Sequence, residues 1–248
     1  MAAARLTLTA MIELVPAPAT LPSGQRVYAV GDVHGCFERL VAMHEHIAAD
    51  LADRPVEHTV LVHLGDYVDR GMESAQVVEW LRAGPPVPAQ VVVNLMGNHE
   101  QMMLAAIAMA DKDAGELWLR NGGADSLMSW GVPRSVPQQD WASYIPVPHL
   151  VFLRDLALHH RIGPYLFIHA GLRPGVPMMQ QARHDLLWIR EPFLSSKADH
   201  GAVVVHGHSP RREPYVGKNR IGIDTGAVIG GALTCVVLEG DQLGFLHT

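Results

Sequence analysis

Short apolar runs and longer stretches of helical spacing make up most of this chain. A run rich in β-branched and other apolar residues that stops at Gly, Asn, Asp or His predicts a buried strand. Apolar residues spaced by three, four or seven positions predict a helix: Leu40 and Val41 lie three and four positions after Phe37, and Ile47 lies seven positions after Leu40. The predicted strands are 27–31, 59–65, 90–96, 158–162, 165–169, 202–206, 220–224, 232–239 and 242–246. The predicted helices are 36–50, 73–83, 100–110, 117–130 (interrupted at 121–123), 141–144 and 149–155.

The order of these elements predicts an α/β fold with two sheets and with helices outside them. We expect one sheet to be made from the first three strands and the other from the late strands. The intervening segment, 100–156, has neither a strand pattern nor a ligand pattern, so we expect a helical insertion that covers the site. Gly163-Pro164 and Gly240-Asp241 separate neighbouring strands and predict hairpin turns.

Length and composition limit the classes of protein to which the chain can belong. Its 248 residues and 48% hydrophobic content allow one sizeable core, so we expect a single domain over 25–248. The Ala- and Pro-rich stretch 1–24 is expected to be a leader or edge segment, and Glu13 makes it a poor signal peptide. A net charge of −6 without a basic block argues against a nucleic-acid partner, and no run reaches the ~18 apolar residues of a membrane span. Cys36 and Cys235 are expected to be reduced, which favours the cytoplasm.

Five of the predicted strands are followed at once by polar residues that are able to bind a metal ion. Asp and Asn offer oxygen atoms and His offers imidazole nitrogen, and these ligands suit divalent cations such as Mn, Fe or Zn. Gly stands beside them and allows tight turns and close approach of the backbone to an ion. Strand ends of this kind that converge at one edge of a sheet predict a metal site. The metal-binding candidates are Asp32 and His34, then Asp66 and Asp69, then Asn98 and His99, then His169, and last His206 and His208; Arg70 stands beside Asp69.

Four of these blocks occur in an order that resembles a known family. Gly31-Asp-Val-His-Gly35, Gly65-Asp-Tyr-Val-Asp-Arg-Gly71, Gly97-Asn-His-Glu100 and His169-Ala-Gly171 are similar to the signature blocks of the phosphoprotein phosphatase family of calcineurin-like metallophosphoesterases. The resemblance is greatest to its bacterial and bacteriophage-type serine/threonine phosphatase branch. It implies a four-layer α-β-β-α sandwich of two mixed sheets flanked by helices.

The resemblance also implies a pair of divalent ions, with Mn²⁺ preferred and Fe or Zn as alternatives. Asp32 and His34 would hold the first ion, and Asp66 would bridge both. The second ion would be completed by Asn98, His169 and His208. A metal-activated water would be the nucleophile, so no covalent phosphoenzyme is expected.

Four further roles follow from the same resemblance. His99 would protonate the leaving oxygen, and Asp69 would orient His99 and favour its imidazolium form. Arg70 and Arg190 would bind phosphate oxygens, together with Asn98.

The residues themselves leave other interpretations open. His34 and His169 can be histidines of the core, and Asp69 can be the N-cap of the helix that begins near residue 73. Arg190 can form a surface ion pair with Glu191 instead of binding phosphate. His206 stands at the same strand end as His208, and we predict that His208 is the ligand.

Three functions are compatible with this chemistry. The first is a serine/threonine or dual-specificity protein phosphatase, with a phosphoprotein or a small phosphoester as substrate. The second is a diadenosine tetraphosphate hydrolase of the same superfamily. The third is a non-catalytic phosphate-binding module, which would be expected to have lost a ligand or the general acid. Asn121-Gly122-Gly123 resembles an element of the bacteriophage-type phosphatases, so we favour the first.

Overall fold

A computed structural model describes residues 12–109 and 112–248 of the chain. Its strands are β1 (Val15–Pro16), β2 (Gln25–Val30), β3 (His58–His63), β4 (Val91–Asn94), β5 (His159–Ile162), β6 (Tyr165–Ile168), β7 (Val203–His206), β8 (Tyr215–Val216), β9 (Arg220–Gly222), β10 (Thr234–Glu239) and β11 (Gln242–His247). Its helices are α1 (Phe37–Asp53), α2 (Ser74–Ala83), α3 (Asn98–Met109), α4 (Lys112–Trp118), α5 (Ala124–Ser129), α6 (Val147–Arg154) and α7 (Arg183–Trp188). Residues 1–11 of the expected leader and residue 110 of the third predicted helix lie outside the described residues.

The first sheet has six strands in the order β1-β11-β10-β2-β3-β4. Its β2, β3 and β4 run parallel, whereas β10 pairs antiparallel with both β2 and β11. The expectation that the late strands would all form the second sheet is therefore wrong, because the hairpin of β10 and β11 completes the first sheet. The alternation of polar and apolar residues predicts a strand but does not specify its partner, which explains the error. The predicted turn at Gly240-Asp241 is confirmed, since Glu239 pairs with Gln242.

The second sheet has five strands in the order β5-β6-β7-β9-β8. The strands β6, β7 and β9 are parallel, and the hairpin predicted around Gly163-Pro164 is the antiparallel pair of β5 and β6. Both sheets are mixed, as expected. In both, the parallel strands direct their carboxyl ends toward loops that carry the predicted ligands.

Apolar residues on the two faces of each sheet produce the four layers. In β2, Val27 and Ala29 belong to the core between the sheets, whereas Tyr28 and Val30 face the core under α1 and α2. The second sheet contributes its own alternate residues to the core between the sheets, such as Phe167. Its outer face packs against α7. The arrangement is the predicted α-β-β-α sandwich, with strands buried on both faces as parallel strands usually are.

The described residues between β4 and β5 are mostly helical, as predicted, and the end of this stretch returns to the edge of the first sheet. Ala157 forms an isolated parallel bridge with Leu95, beside the end of β4. The N-terminal edge element is β1, which pairs with β11. Both cysteines are free thiols in the structure. Within the described residues, none of the helices is long and apolar enough to cross a membrane.

Candidate metal centre

Carboxyl ends of strands from both sheets meet around the carboxylate of Asp66. Its Oδ2 lies 3.5 Å from His34 Nε2 and 4.0 Å from His99 Nε2, and its Oδ1 lies 3.4 Å from His169 Nε2. Each of these four side chains is buried. Asp66 is therefore the residue at which the loops after β2, β3, β4 and β6 come together.

Backbone carbonyls fix the orientation of three imidazole rings at this centre. His34 Nδ1 donates to the Val68 carbonyl at 2.8 Å, and His169 Nδ1 donates to the Leu64 carbonyl at 2.9 Å. A carbonyl can only accept, so Nδ1 carries a proton in both rings. The Nε2 of each ring lies on the side of Asp66, within 3.5 Å of its carboxylate. His208 is held the other way round, because its Nε2 donates to the carbonyl of Trp188 at 3.2 Å. Such bonds to the far nitrogen orient histidines that bind metal.

The ligand atoms form two groups that share Asp66. One group consists of His34, Asp66 and His99, and the other of Asp66, His169 and His208; the atoms of each group lie within 4.8 Å of one another. Asn98 joins the second group through its Oδ1, which is 3.0 Å from His169 Nε2. Two cations can be held by adjacent groups that share a carboxylate.

Asp32 lies beside these groups rather than within either of them. Its carboxylate accepts a hydrogen bond from the backbone N–H of His208, at 3.0 Å from Oδ2. Asp32 therefore connects the end of β2 in one sheet to the end of β7 in the other.

The backbone around the centre is strained in a way that is confined to the site. Among the described residues, five that are not glycine have a positive φ, the left-handed conformation that side chains disfavour. Strain of this kind persists only where the surrounding structure enforces it, and it is concentrated at functional sites. The five are His34 (46°), Asp66 (52°), Asp69 (75°), Arg70 (68°) and His208 (62°).

Two glycines are required because carboxylates occupy the space that a side chain would need. A Cβ at Gly97 would lie 2.1 Å from Asp66 Oδ1, and one at Gly207 would lie 2.0 Å from Asp32 Oδ1. Positions 97 and 207 beside the ligands therefore require glycine, which has no Cβ.

The centre concentrates buried negative charge. Burial raises the pKa of Asp32 well above its usual range, and the nearby Asp224 raises it further. Burial raises the pKa of Glu100 to about 7, with a further contribution from Asp66. Burial alone would also raise the pKa of Asp66, but His169 and other histidines hold it well below its usual range. Clustered carboxylates are costly to bury unless cations compensate them.

His169 shows most directly where positive charge is needed. Its Nε2 faces the oxygens of both Asn98 and Asp66, and its Nδ1 already donates to a carbonyl. Burial lowers the pKa of His169, but Asp66, Asp32 and Glu100 together more than offset burial and raise it to about 10. A divalent cation bound at Nε2 would satisfy the same oxygens. The donor set of carboxylate, imidazole and amide oxygen therefore fits the divalent ions that the sequence predicts.

His99 and Asp69 form a buried pair next to this centre. His99 Nδ1 lies 2.7 Å from Asp69 Oδ2, and both side chains are almost entirely inaccessible to solvent. Burial lowers the pKa of His99, but Asp66 and Asp69 together raise it above its usual value. The pairing fixes the ring so that Nε2 points toward Asp66.

Both of the arginines predicted to bind phosphate contact a histidine of the site. Arg70 Nη1 is 2.9 Å from His34 Nε2, and Arg190 Nη2 donates to the carbonyl of His208 at 3.4 Å. Arg190 does not pair with Glu191 among the described contacts; the carboxylate of Glu191 accepts from Ser195 instead. Both guanidinium groups are exposed at the mouth of the site.

The other interpretations of Asp69 and His206 do not fit the structure. The helix α2 has Glu73 at its N-cap, and the Asp69 carboxylate is directed to His99 rather than to that helix. His206 bonds to Gly207 O through Nδ1 and to Arg220 through Nε2, so neither nitrogen faces Asp66.

Sequence reasoning missed Glu100, although the residue stands inside a recognised block. Its carboxylate accepts four backbone N–H bonds, from Asp66 at 2.9 Å, Tyr67 at 2.7 Å, Val68 at 3.2 Å and Gly97 at 2.8 Å. Glu100 thereby holds the loop that carries Asp66. Its place in the block was the available signal, but the block alone does not distinguish a ligand from a support.

Comparison with known proteins agrees with this geometry. The family model for calcineurin-like phosphoesterases matches residues 25–229. The chain is 31% identical over 224 residues to serine/threonine-protein phosphatase 1 of Salmonella typhimurium, covering 87% of this chain and 93% of that protein. It is also 31% identical over 153 residues to a symmetrical bis(5'-nucleosyl)-tetraphosphatase of Methylococcus capsulatus, covering 60% of this chain and 44% of that enzyme.

The fold is shared with solved structures. A crystal structure of a candidate diadenosine tetraphosphatase superposes with a TM-score of 0.60 at 22% identity, covering 90% of this chain and 93% of that chain. Similarity to the Salmonella protein supports the phosphoprotein phosphatase branch that the signature blocks resemble. The chain belongs to the calcineurin-like phosphoesterase family and is a metal-dependent phosphatase.

Proposed function

We propose that this chain is a dinuclear phosphomonoesterase that hydrolyses phosphoserine and phosphothreonine in proteins. The observation that carries the proposal is the sharing of Asp66 by two ligand groups, with the Nε2 of His99 facing the same carboxylate. A phosphate ester placed there would meet groups able to bind its oxygens and a group able to protonate its leaving oxygen.

Six residues would hold the two ions, which we propose to be Mn²⁺. Asp32 and His34 would serve one ion, Asp66 would serve both, and Asn98, His169 and His208 would serve the other. When bound, such ions neutralise phosphoryl charge and lower the pKa of a coordinated water.

The protein's own groups would do the remaining work. His99 would donate the proton at Nε2 to the leaving oxygen, since Nδ1 is engaged by Asp69. Asp69 would keep the ring in that tautomer and orientation. Arg70 and Arg190 would bind two or more phosphate oxygens, a task for which the planar guanidinium is suited, and Asn98 would assist them.

A protein substrate is favoured over a dinucleotide by two observations. The match to the Salmonella serine/threonine phosphatase keeps 31% identity over nearly all of that protein. The match to the Methylococcus tetraphosphatase reaches 31% identity over less than half of that enzyme, and the similarity to the diadenosine tetraphosphatase structure covers nearly its whole chain but at 22% identity. The Asn121-Gly122-Gly123 element, which resembles the bacteriophage-type phosphatases, lies against Arg70. Diadenosine tetraphosphate hydrolysis is the second candidate, because the metal chemistry and the signature blocks suit it equally. No residue of the predicted set is missing, which argues against a non-catalytic module.

A substrate panel in the presence of Mn²⁺ tests the proposal. We expect kcat/KM to be highest for phosphoserine and phosphothreonine peptides, compared with phosphotyrosine peptides, p-nitrophenyl phosphate and diadenosine tetraphosphate. A clear preference for the dinucleotide would establish the second candidate instead. Asp66→Asn should abolish activity on every substrate, and Asp53→Asn, an exposed acid at the end of α1, is the matched control.

A further inference from the structure

Two side chains from the helical insertion bind the carboxylate that orients His99. Trp118, the last residue of α4, donates its indole N–H to Asp69 at 2.9 Å from Oδ1 and 3.0 Å from Oδ2. Ser126, in α5, donates its hydroxyl to Asp69 Oδ1 at 2.7 Å. All three side chains are buried, so water does not replace these donors. Asp69 therefore takes its orientation from residues far along the chain.

The same segment also holds the strained backbone of Asp69 and Arg70. The Asp69 N–H donates to Ser126 Oγ at 2.8 Å, and the Arg70 N–H donates to the Gly122 carbonyl at 3.2 Å. Ser126 has a single hydroxyl hydrogen, which is used on Asp69, so Ser74 Oγ donates to Ser126 at 3.1 Å. Asp69 and Arg70, which are consecutive left-handed residues, are thus each held by a backbone N–H bond to an acceptor in the insertion.

Close packing leaves this segment little freedom. Gly122 has a φ of 102°, and a Cβ added there would lie 2.8 Å from both the N and Cγ of Arg70. A Cβ at Gly123 would lie 2.6 Å from the ring of Trp118. The glycines of the Asn121-Gly122-Gly123 element are therefore what allows the insertion to approach the site.

We propose that residues 118–126 form a positioning clamp on the Asp69-Arg70 turn. Trp118 and Ser126 orient the carboxylate that holds His99, and Gly122 sets the position from which Arg70 reaches phosphate. The inference rests on the proposed function, because it assigns His99 as the proton donor and Arg70 as a phosphate ligand. It adds that the insertion takes part in the reaction as a support for both, rather than only covering the site.

Loss of a hydrogen-bond donor to the Asp69 carboxylate should slow the reaction, because Asp69 then gains conformational freedom. Without the Trp118 indole N–H, the carboxylate keeps only the Ser126 hydroxyl on the side away from His99, and it can rotate. His99 would then be held in more than one orientation, which lowers the rate of proton transfer to the leaving oxygen. The effect matters when the leaving group needs a proton, and it matters little when the leaving group is a good one.

Trp118→Phe tests the clamp, with Trp130→Phe as its matched control. Trp130 lies just beyond the segment and is also buried, but its indole N–H donates to His149 at 3.0 Å. For Trp118→Phe we expect kcat on a phosphoserine peptide to fall roughly tenfold more than kcat on p-nitrophenyl phosphate, a fraction of the 10²–10⁴-fold that general acids contribute. KM should not change, and Trp130→Phe should leave the ratio of the two rates as it is in the unaltered protein.

Serine substitutions decide the matter independently if Trp118→Phe fails to fold. Ser126→Ala should lower the ratio of kcat on the phosphoserine peptide to kcat on p-nitrophenyl phosphate. Ser129→Ala, in the same helix, should leave this ratio unchanged. Among the described residues, Ser129 bonds to the backbone N–H of Ala75, at 2.8 Å, and to the exposed Gln76 side chain, and not to Asp69.

Gly122→Ala tests the second half of the clamp against Gly131→Ala. Both glycines have a positive φ, but a Cβ at Gly131 would meet nothing within 4 Å. Gly122→Ala should displace Arg70 and lower kcat/KM by roughly tenfold to a hundredfold, since misplacement of a binding group by 1 Å has costs of that order. Gly131→Ala should retain the activity of the unaltered protein.

The outcomes separate the clamp from the proposed function. If the unaltered protein has no metal-dependent phosphatase activity, the proposed function fails. If it is active, and Trp118→Phe and Ser126→Ala slow both esters by the same factor, the clamp is wrong while the proposed function stands.

Discussion

His99 and Asp69 lie 2.7 Å apart, Nδ1 to Oδ2, and belong to separate signature blocks. Asp69 follows β3, and His99 is the second residue of α3. The pairing engages one nitrogen of the imidazole and leaves the other free on the side of Asp66. Folding thus brings together the proposed proton donor and its support from two different loops.

Replacing His99 should separate proton donation from metal binding. His99→Asn removes the donor but not the six proposed ligands, so Mn²⁺ should still raise the melting temperature. We expect kcat on an alkyl phosphate ester to fall by about 10²–10⁴-fold, the usual range for general acid catalysis. The loss on p-nitrophenyl phosphate should be much smaller, because its leaving group needs little protonation. Equal losses on both esters would show that His99 is not the acid, and His160→Asn on β5 is a control outside the site.

Removing the shared carboxylate should remove metal and activity together. Asp66→Asn leaves both ligand groups without their anionic oxygen. Ligand binding stabilises the folded protein by about 2.7 kcal/mol at a concentration one hundred times Kd, so Mn²⁺ should raise the melting temperature of the unaltered protein. The variant should lose most of this increase, as measured by thermal denaturation with and without Mn²⁺. Normal turnover with a single metal bound would contradict the bridging role.

Glu100 should prove to be a support for the fold of the site. Glu100→Gln replaces one acceptor oxygen with an amide NH₂, so backbone N–H groups among residues 66–68 and 97 lose their partner. A buried donor left without a partner costs about 1–3 kcal/mol, and urea denaturation in EDTA should show a loss of this size. Glu38→Gln, an exposed change in α1, should leave stability unchanged. Equal stability of the two variants would mean that the four bonds do not support the loop.

A buried pair of histidines outside the site should make the fold sensitive to acid. Trp80 Nε1 donates to His44 Nδ1, and His44 Nε2 then donates to His63 Nε2 at 2.9 Å. Burial lowers the pKa of His44 from 6.5 to about 2 and that of His63 to about 4. The unfolded chain therefore binds more protons below pH 6.5, so stability is full above that pH and falls as the pH decreases.

His44→Gln should weaken this dependence. Glutamine can accept from Trp80 and donate to His63, but it does not titrate. Between pH 7 and pH 5, the free energy of unfolding of the unaltered protein should fall by about 2 kcal/mol more than that of the variant. His46→Gln, an exposed change in the same helix, should behave like the unaltered protein in urea denaturation at both pH values. Parallel losses in all three proteins would contradict the assignment.

Much of the site could be predicted from the sequence because its chemistry is local to strand ends. Each block pairs a ligand with the glycine that its turn requires, so Asp66 and His169 could be located without tertiary information. The choice of His208 over His206 agrees with where the two rings point. Asp32 agrees less well, since it lies outside both ligand groups and binds the backbone of His208.

The rest depends on contacts between distant parts of the chain. Trp118 and Ser126 resemble ordinary core residues of a helix, and nothing near them in sequence indicates that they meet Asp69, which is 49 and 57 residues away. For the same reason, the sequence pattern assigns the hairpin of β10 and β11 to the wrong sheet. The local pattern of polar and apolar residues does not predict which strands pair when they are far apart in the sequence.

The account depends most on two cations that share Asp66. Crystals of the protein soaked in Mn²⁺ and measured at the manganese absorption edge would test this directly. We predict two anomalous peaks roughly 3.5–4 Å apart. Asp66 should lie between them, with His34 beside one peak and His169 beside the other. A single peak, or peaks that do not share the Asp66 carboxylate, would contradict the dinuclear centre on which the proposed function is built.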